Sequence, residues 1–190
     1  MPPLHPAIDL VDELGSGSSG RVWRGVLLAP FGGHPAGAPI ALKRMHARLS
    51  EDAHAHAAFE REIVLGRKLR HPNLVSVLGD GVDEEGRWIL MPFVSGQDLR
   101  TLLRDEGALP EESVRSLVRQ LGSALAALHA EGWRHADLKP ENVRWTESGR
   151  AVLMDLGLAR QLGQPPDRSQ PGSHAYLAPE QARGEVGDAR

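Results

Sequence analysis

Near residue 95 the apolar pattern changes period, and this change restricts the fold more than any other feature of the chain. Before it, short runs of strand composition alternate with glycine- and proline-rich breaks: residues 8–14 (IDLVDEL), 21–28 (RVWRGVLL), 40–45 (IALKRM), 74–79 (LVSVLG) and 87–94 (RWILMPFV). One helix interrupts them. Ser50 is placed to cap it, Glu51 and Asp52 suit its positive end, and it should run to about Leu69 before His71-Pro72 stops it. After the change, a short helix is expected over Leu99 to Arg104 and a longer one from Pro110. In the longer helix Val114, Leu117, Val118, Leu121, Leu125 and Leu128 form an apolar stripe at helical spacing. Two short strands, VRW (143–145) and AVLMD (151–155), precede a Gly/Pro/Gln-rich segment ending in AYLAPE. The expectation is α+β: a small sheet with one long helix over 1–94, then a mainly helical part over 95–190.

Composition narrows the functions open to such a chain. Its 190 residues suffice for one ordinary domain or two small lobes. Aromatics make up only 4%, so the core must be built mainly from Leu, Val and Ala. With a net charge of −3 and mixed signs along the chain, neither nucleic acid nor an anionic membrane is expected as partner. The absence of cysteine excludes disulfides and thiolate metal sites. The start, MPPLHPAIDL, lacks a basic region followed by an apolar run, and no window approaches membrane-spanning length. A cytoplasmic, soluble domain is therefore expected. Of the nine histidines, His54 and His56 do not share a helix face, and His5, His34, His46 and His174 lack neighbours at metal-ligand spacing. These are read as surface residues.

Three segments carry chemistry. The stretch LGSGSSGRV, 14–22, sets three glycines at G-x-G-x-x-G spacing between two strands, where backbone N–H groups can approach phosphate oxygens closely. A strand rather than a helix follows, which argues against a dinucleotide fold. Lys43 lies on the third strand and Glu62 on the helix after it, within reach for pairing, whereas Glu60 faces elsewhere. The third segment is WRHADLKPEN, 133–142, where Pro140 argues for a loop rather than a helix. Asp137 and Asn142 flank Lys139, and Asp155 follows after a hairpin. Carboxylate and amide oxygens suit Mg²⁺ holding substrate phosphates. Lys139 would neutralise a transferring phosphoryl group, and Asp137 could accept a hydroxyl proton.

In order, these residues are Gly15, Gly17, Gly20 and Val22; Ala41 and Lys43; Glu62; His135, Asp137, Lys139 and Asn142; Asp155 and Gly157; and Ala178-Pro179-Glu180. Together the set resembles a protein kinase catalytic domain, and most closely the eukaryotic-like (Hanks-type) serine/threonine kinases of bacteria. The resemblance covers essentially the whole chain. It implies a bilobal fold with a small antiparallel N-lobe sheet over 1–94 and a partial C-lobe over 95–190. It implies that Leu14, Gly15, Ser16, Gly17, Ser18, Ser19, Gly20 and Val22 cover ATP, with Val22 and Ala41 above adenine. Lys43, paired with Glu62, would hold the α- and β-phosphates. Met91 would be the gatekeeper and Pro92 to Val94 the hinge, with the Val94 N–H free to donate. Asn142 and Asp155 would hold Mg²⁺, or Mn²⁺ in its place, and Asp137 would orient a Ser or Thr hydroxyl of a protein substrate. Lys139, two residues on, is the serine/threonine-type arrangement.

The sequence also departs from the family pattern. Ala136 replaces the arginine that normally follows His135, and the segment from Asp155 to Glu180 offers only Ser169, Ser173 and Tyr176 as hydroxyl acceptors. Switching by phosphorylation of that segment is not expected; Ser173 falls at a structural position. Leu156, Ser19 and Arg144 replace more usual residues without removing a catalytic group, the Arg144 stem serving as adenine floor. Gly66, one turn after Glu62, predicts a less firmly held helix. The chain stops ten residues past Glu180, so an incomplete C-lobe is expected: a fragment, a truncated product or a chain completed by a partner. The helix from Pro110 should then expose an apolar patch above a few hundred Å². The alternative to a working kinase is a kinase-like module that binds nucleotide or a partner. A small-molecule phosphotransferase fits the combined motifs less well.

Overall fold

The computed structural model describes residues 6–164 and 174–186. The chain divides into two compact units, one of Met1–Arg67 with Ser76–Val94 and one of Lys68–Val75 with Ser95–Arg190.

The first unit is built on an antiparallel sheet of β1 (Ile8–Ser16), β2 (Gly20–Leu27), β3 (Pro39–Met45), β4 (Gly79–Asp83) and β5 (Gly86–Pro92), in the order β1-β2-β3-β5-β4. Period-two alternation sorts β3 cleanly. Ile40 and Leu42 enter a core with Leu27, Trp88 and Leu90, while Ala41 and Lys43 take the opposite face. β3 lies at the centre of the sheet and is buried along almost its whole length; β1 is an edge and is exposed along most of it.

A strand was expected over 74–79, but the sheet begins pairing in earnest at Gly79 and continues to Asp83, through residues that read as a polar turn. Glycines disguise it. A Cβ on Gly79 would lie 2.6 Å from the Phe31 ring, and one on Gly81 2.5 Å from Trp88. The bare backbone is what lets two aromatic rings lie across this strand.

Helix α1 (Ala53–Lys68) also starts differently. Ser50 is consumed in a 3₁₀ turn, its N–H bonded to the Ala47 carbonyl, and Asp52 provides the cap instead. The Asp52 carboxylate accepts from the N–H groups of His54 (2.8 Å) and Ala55 (3.1 Å). The Ala55 bond is the main reason its pKa lies below the ordinary value.

Gly66 does not loosen α1. The Val77 N–H donates to the Gly66 carbonyl at 2.9 Å, and Val77 Cγ2 lies 2.6 Å from where a Cβ on Gly66 would stand. The missing side chain lets the strand-side segment close onto the helix, so the expectation of a weakly held helix is corrected.

The second unit holds α2 (Leu99–Glu106), capped by Asp98 accepting from Thr101 N–H at 2.8 Å, and α3 (Glu111–Ala130). Pro110 immediately precedes α3, and Glu111 and Glu112 occupy its first turn. β6 (Gln97–Asp98) precedes them, and β7 (Trp133–Arg134), β8 (Val143–Trp145), β9 (Ala151–Leu153), β10 (Arg160–Gln161) and α4 (Pro179–Arg183) follow. β6, β8 and β9 form one small sheet; β7 pairs with β10. The expected stripe on α3 is split. Leu117 and Leu128 are buried with Ala124, Leu121 and Leu125 are half-buried, and Val114 and Val118 are exposed.

Asn73 ties this unit together. Its Nδ2 donates to Gln120 Oε1 and to the Ala151 carbonyl, both at 2.7 Å, and Gln120 Oε1 also accepts from Ala151 N–H. The Leu153 N–H then bonds the Asn73 carbonyl, and Val75 N–H the Leu153 carbonyl. Residues 73–75 therefore pair with β9 rather than with the large sheet.

Candidate active site

In the first unit, Lys43 Nζ lies 2.6 Å from Glu62 Oε2, and the two residues are only 7% and 3% exposed. The register places Val22 opposite Lys43 and Ala41 opposite Met91, so Val22, Ala41, Lys43 and Met91 share one face. Glu60, two residues before Glu62, turns to Arg87 instead, at 2.7 Å. Pro92 ends β5, and among the described residues the Val94 N–H has no partner.

The three glycines between β1 and β2 play different parts. A Cβ on Gly20 would meet the Arg44 carbonyl at 2.2 Å, so packing demands that glycine. A Cβ on Gly15 or Gly17 would have nothing within 4 Å. Among the described residues their bareness serves no packing contact, and it leaves backbone that a ligand can approach. Leu14 to Ser18 are exposed and Ser19 half-buried.

In the second unit the loop after β7 is held from several sides. Pro140 starts a single 3₁₀ turn, Pro140–Asn142, rather than a longer helix, because Lys139 before it is extended. Asp137, its side chain 8% exposed, has Oδ2 at 2.7 Å from Lys139 Nζ. Asn142 Nδ2 donates to the same Oδ2 at 3.0 Å and to the Asp137 carbonyl at 2.8 Å. With its amide nitrogen so used, the side-chain oxygen of Asn142 is the atom left for a cation. Met154 N–H bonds the Asn142 carbonyl at 2.8 Å, which brings Asp155 beside the loop.

His135 organises this loop rather than reacting. Its Nε2 donates to the Met154 carbonyl at 3.0 Å, and its Nδ1 accepts the Asp137 N–H at 3.3 Å. Those roles require the neutral ring. Burial pushes its pKa down, partly opposed by the Met154 bond. Ala136 and Asp155 both adopt left-handed backbone (φ 64° and 56°), unusual for residues with a Cβ. Neither conformation was legible in the sequence. Arg144 donates to the Gly96 carbonyl, and Gly96 itself lies against the Trp145 carbonyl and Thr146, where a Cβ would not fit.

One residue read as mere surface is not. His46, at the end of β3, donates from Nε2 to the Gly17 carbonyl at 2.9 Å. No spacing rule links residues 17 and 46; only the β2–β3 pairing does. Ser169 and Ser173 lie outside the described residues, and Tyr176 is exposed.

Asn142 and Asp155 fit a hard divalent cation: an amide oxygen and a carboxylate stand at the two ends of one short hairpin. No cluster of three or more His, Cys, Asp or Glu among the described residues could hold a metal alone. The open backbone at Gly15 and Gly17 and the buried Lys43 ammonium fit a nucleotide's phosphates.

Over residues 8–188 the chain matches the family model described as protein kinase domain, and it belongs to that family. Members are phosphotransferases that in general use ATP and a divalent metal. Among its relatives, serine/threonine-protein kinase PkaA of Streptomyces coelicolor is 35% identical over 97% of this chain, pkn3 of Myxococcus xanthus 35% over 93%, and PknL of Mycobacterium bovis 33% over 94%. The chain covers 36%, 34% and 44% of those proteins' own lengths. No helix among the described residues is long and apolar enough to cross a membrane.

Proposed function

We propose that this chain is an ATP-dependent protein serine/threonine kinase domain, with residues 1–94 and 95–190 as its two lobes. The observation that carries the reading is the state of Asp137: a nearly buried carboxylate oriented by both Lys139 and Asn142. A carboxylate so held can orient a Ser or Thr hydroxyl and take its proton as the oxygen attacks the γ-phosphorus of ATP and the bond to the departing ADP breaks. Lys139, paired with Asp137, would offset charge on the transferring group, and Lys43, paired with Glu62, would bind the α- and β-phosphates. Asn142 and Asp155 would hold Mg²⁺, which when bound would supply positive charge to offset that on the phosphates. The relatives named as serine/threonine kinases support the substrate class.

The test is transfer of labelled γ-phosphate to a generic basic protein by this chain. Asp137→Asn keeps the shape but removes the base, and should lower turnover by about 10²–10⁴-fold while ATP binding persists. Wild-type binding of ATP without transfer would favour the alternative, a kinase-like binding module.

A further inference from the structure

The glycine loop is gripped from one side. The Gly17 carbonyl accepts from His46 Nε2 at 2.9 Å, the Ser18 carbonyl from an Arg48 guanidinium nitrogen at 3.1 Å, and the Ser19 carbonyl from His46 N–H at 3.2 Å. Gly17 N–H closes the turn onto the Gly20 carbonyl at 2.9 Å. Three successive carbonyls are thus bound by one three-residue stretch, His46 to Arg48, at the end of β3.

Planarity turns this into a statement about the amides. The chain has no cis peptide bond among its described residues. In a trans unit the carbonyl and the following N–H point in opposite directions. With the carbonyls of Gly17, Ser18 and Ser19 turned toward His46 and Arg48, the N–H groups of Ser18, Ser19 and Gly20 are turned away from them. The Ser18 and Ser19 N–H groups have no partner among the described residues. Consecutive N–H groups on one side of a turn make a concave site for an anion. The open space at Gly17 lies beside it.

We infer that His46 and Arg48 are positioning residues that clasp the glycine loop by its carbonyls, presenting the Ser18 and Ser19 amides to the phosphate oxygens of a nucleotide. This rests on the nucleotide reading above and adds to it a pair of residues outside the motif. Neither side chain touches the nucleotide; both act through the loop. Without the clasp, a Gly/Ser loop samples many conformations, and the phosphates must select the competent one at a cost in affinity.

The test uses this chain with His46→Ala/Arg48→Ala as a double variant, and His46→Gln and Arg48→Lys as conservative ones. Calorimetric titrations with ATP in Mg²⁺ and with adenosine are compared. Hydrogen exchange of peptides spanning 14–22 is followed without nucleotide. In the double variant, ATP should bind roughly tenfold more weakly while adenosine is unaffected, since only phosphates use the loop amides. His46→Gln, which retains a side-chain N–H donor, should recover most of the ATP affinity. Loop exchange should accelerate while α1 and β5 stay protected. Unchanged ATP affinity, an equal loss for ATP and adenosine, or unaltered loop exchange overturns the clasp. A wild-type chain that binds adenosine and ATP equally overturns the use of the loop for phosphate. One that binds neither overturns the nucleotide reading and this role with it.

Discussion

Lys43 and Glu62 form a buried pair, and buried pairs are sensitive to losing one member. Lys43→Met should strand the Glu62 carboxylate and destabilise the chain by about 3–5 kcal/mol in chemical denaturation; adding Glu62→Gln should restore part of that, because no lone charge then remains. Recovery by the second substitution separates ion pairing from simple packing. His135 makes the opposite kind of demand. Its folded pKa is depressed by burial, so the unfolded chain binds the proton more tightly. Its contribution to stability is complete above the unfolded value of about 6.5 and is lost as pH falls below it. Melts between pH 7.5 and 5.5 should show this acid loss, and His135→Asn should show less of it. The Lys43–Glu62 pairing was readable from spacing: one strand and one helix could carry the two residues toward each other. The neutral tautomer of His135 was not, because it depends on the Met154 carbonyl arriving from another hairpin.

Elements depend here on glycines in ways that composition hides. Gly66→Ala would place a Cβ 2.6 Å from Val77 Cγ2, so α1 or the Val77 segment must shift. We expect a loss of about 1–3 kcal/mol although alanine has the higher helix propensity, and a gain in stability would show the contact to be slack. The same logic explains β4: Gly79 reads as a strand end and Gly81 as a turn residue, and both lie in one strand with the Phe31 and Trp88 rings over them. Helix α3 was legible because its apolar spacing and its start at Pro110 are local signals. The start of α1 was legible only to within a turn, since Ser50 and Asp52 are both competent caps and the preceding 3₁₀ turn decides between them. The Asn73 network is tertiary in origin. Asn73→Ala should cost about 1–3 kcal/mol by leaving Gln120 Oε1 and the Ala151 carbonyl short of a donor, seen as a lower denaturation midpoint.

For the whole molecule, the sharpest prediction is linkage. ATP at 100 times its dissociation constant should stabilise the folded chain by about 2.7 kcal/mol. In thermal melts with and without Mg²⁺, the Mg²⁺-dependent part of that gain should vanish in Asp155→Ala; a variant that keeps it would remove Asp155 from the metal site. The sequence by itself determined which chemical groups exist and their order: the Gly15–Gly20 loop, Lys43, Glu62, the loop from His135 to Asn142, and Asp155. It determined the α+β class as well, because apolar period and cap residues are properties of neighbouring positions. The tertiary structure alone decided how those groups are held. The rings over Gly79 and Gly81, the closure of Val77 on Gly66, and the hold of His46 and Arg48 on the glycine loop bring together residues from different elements, and the left-handed backbone at Ala136 and Asp155 has no local signal. Local pattern carries no record of such contacts, since their energy comes from packing and hydrogen bonding that exist only once the chain has folded.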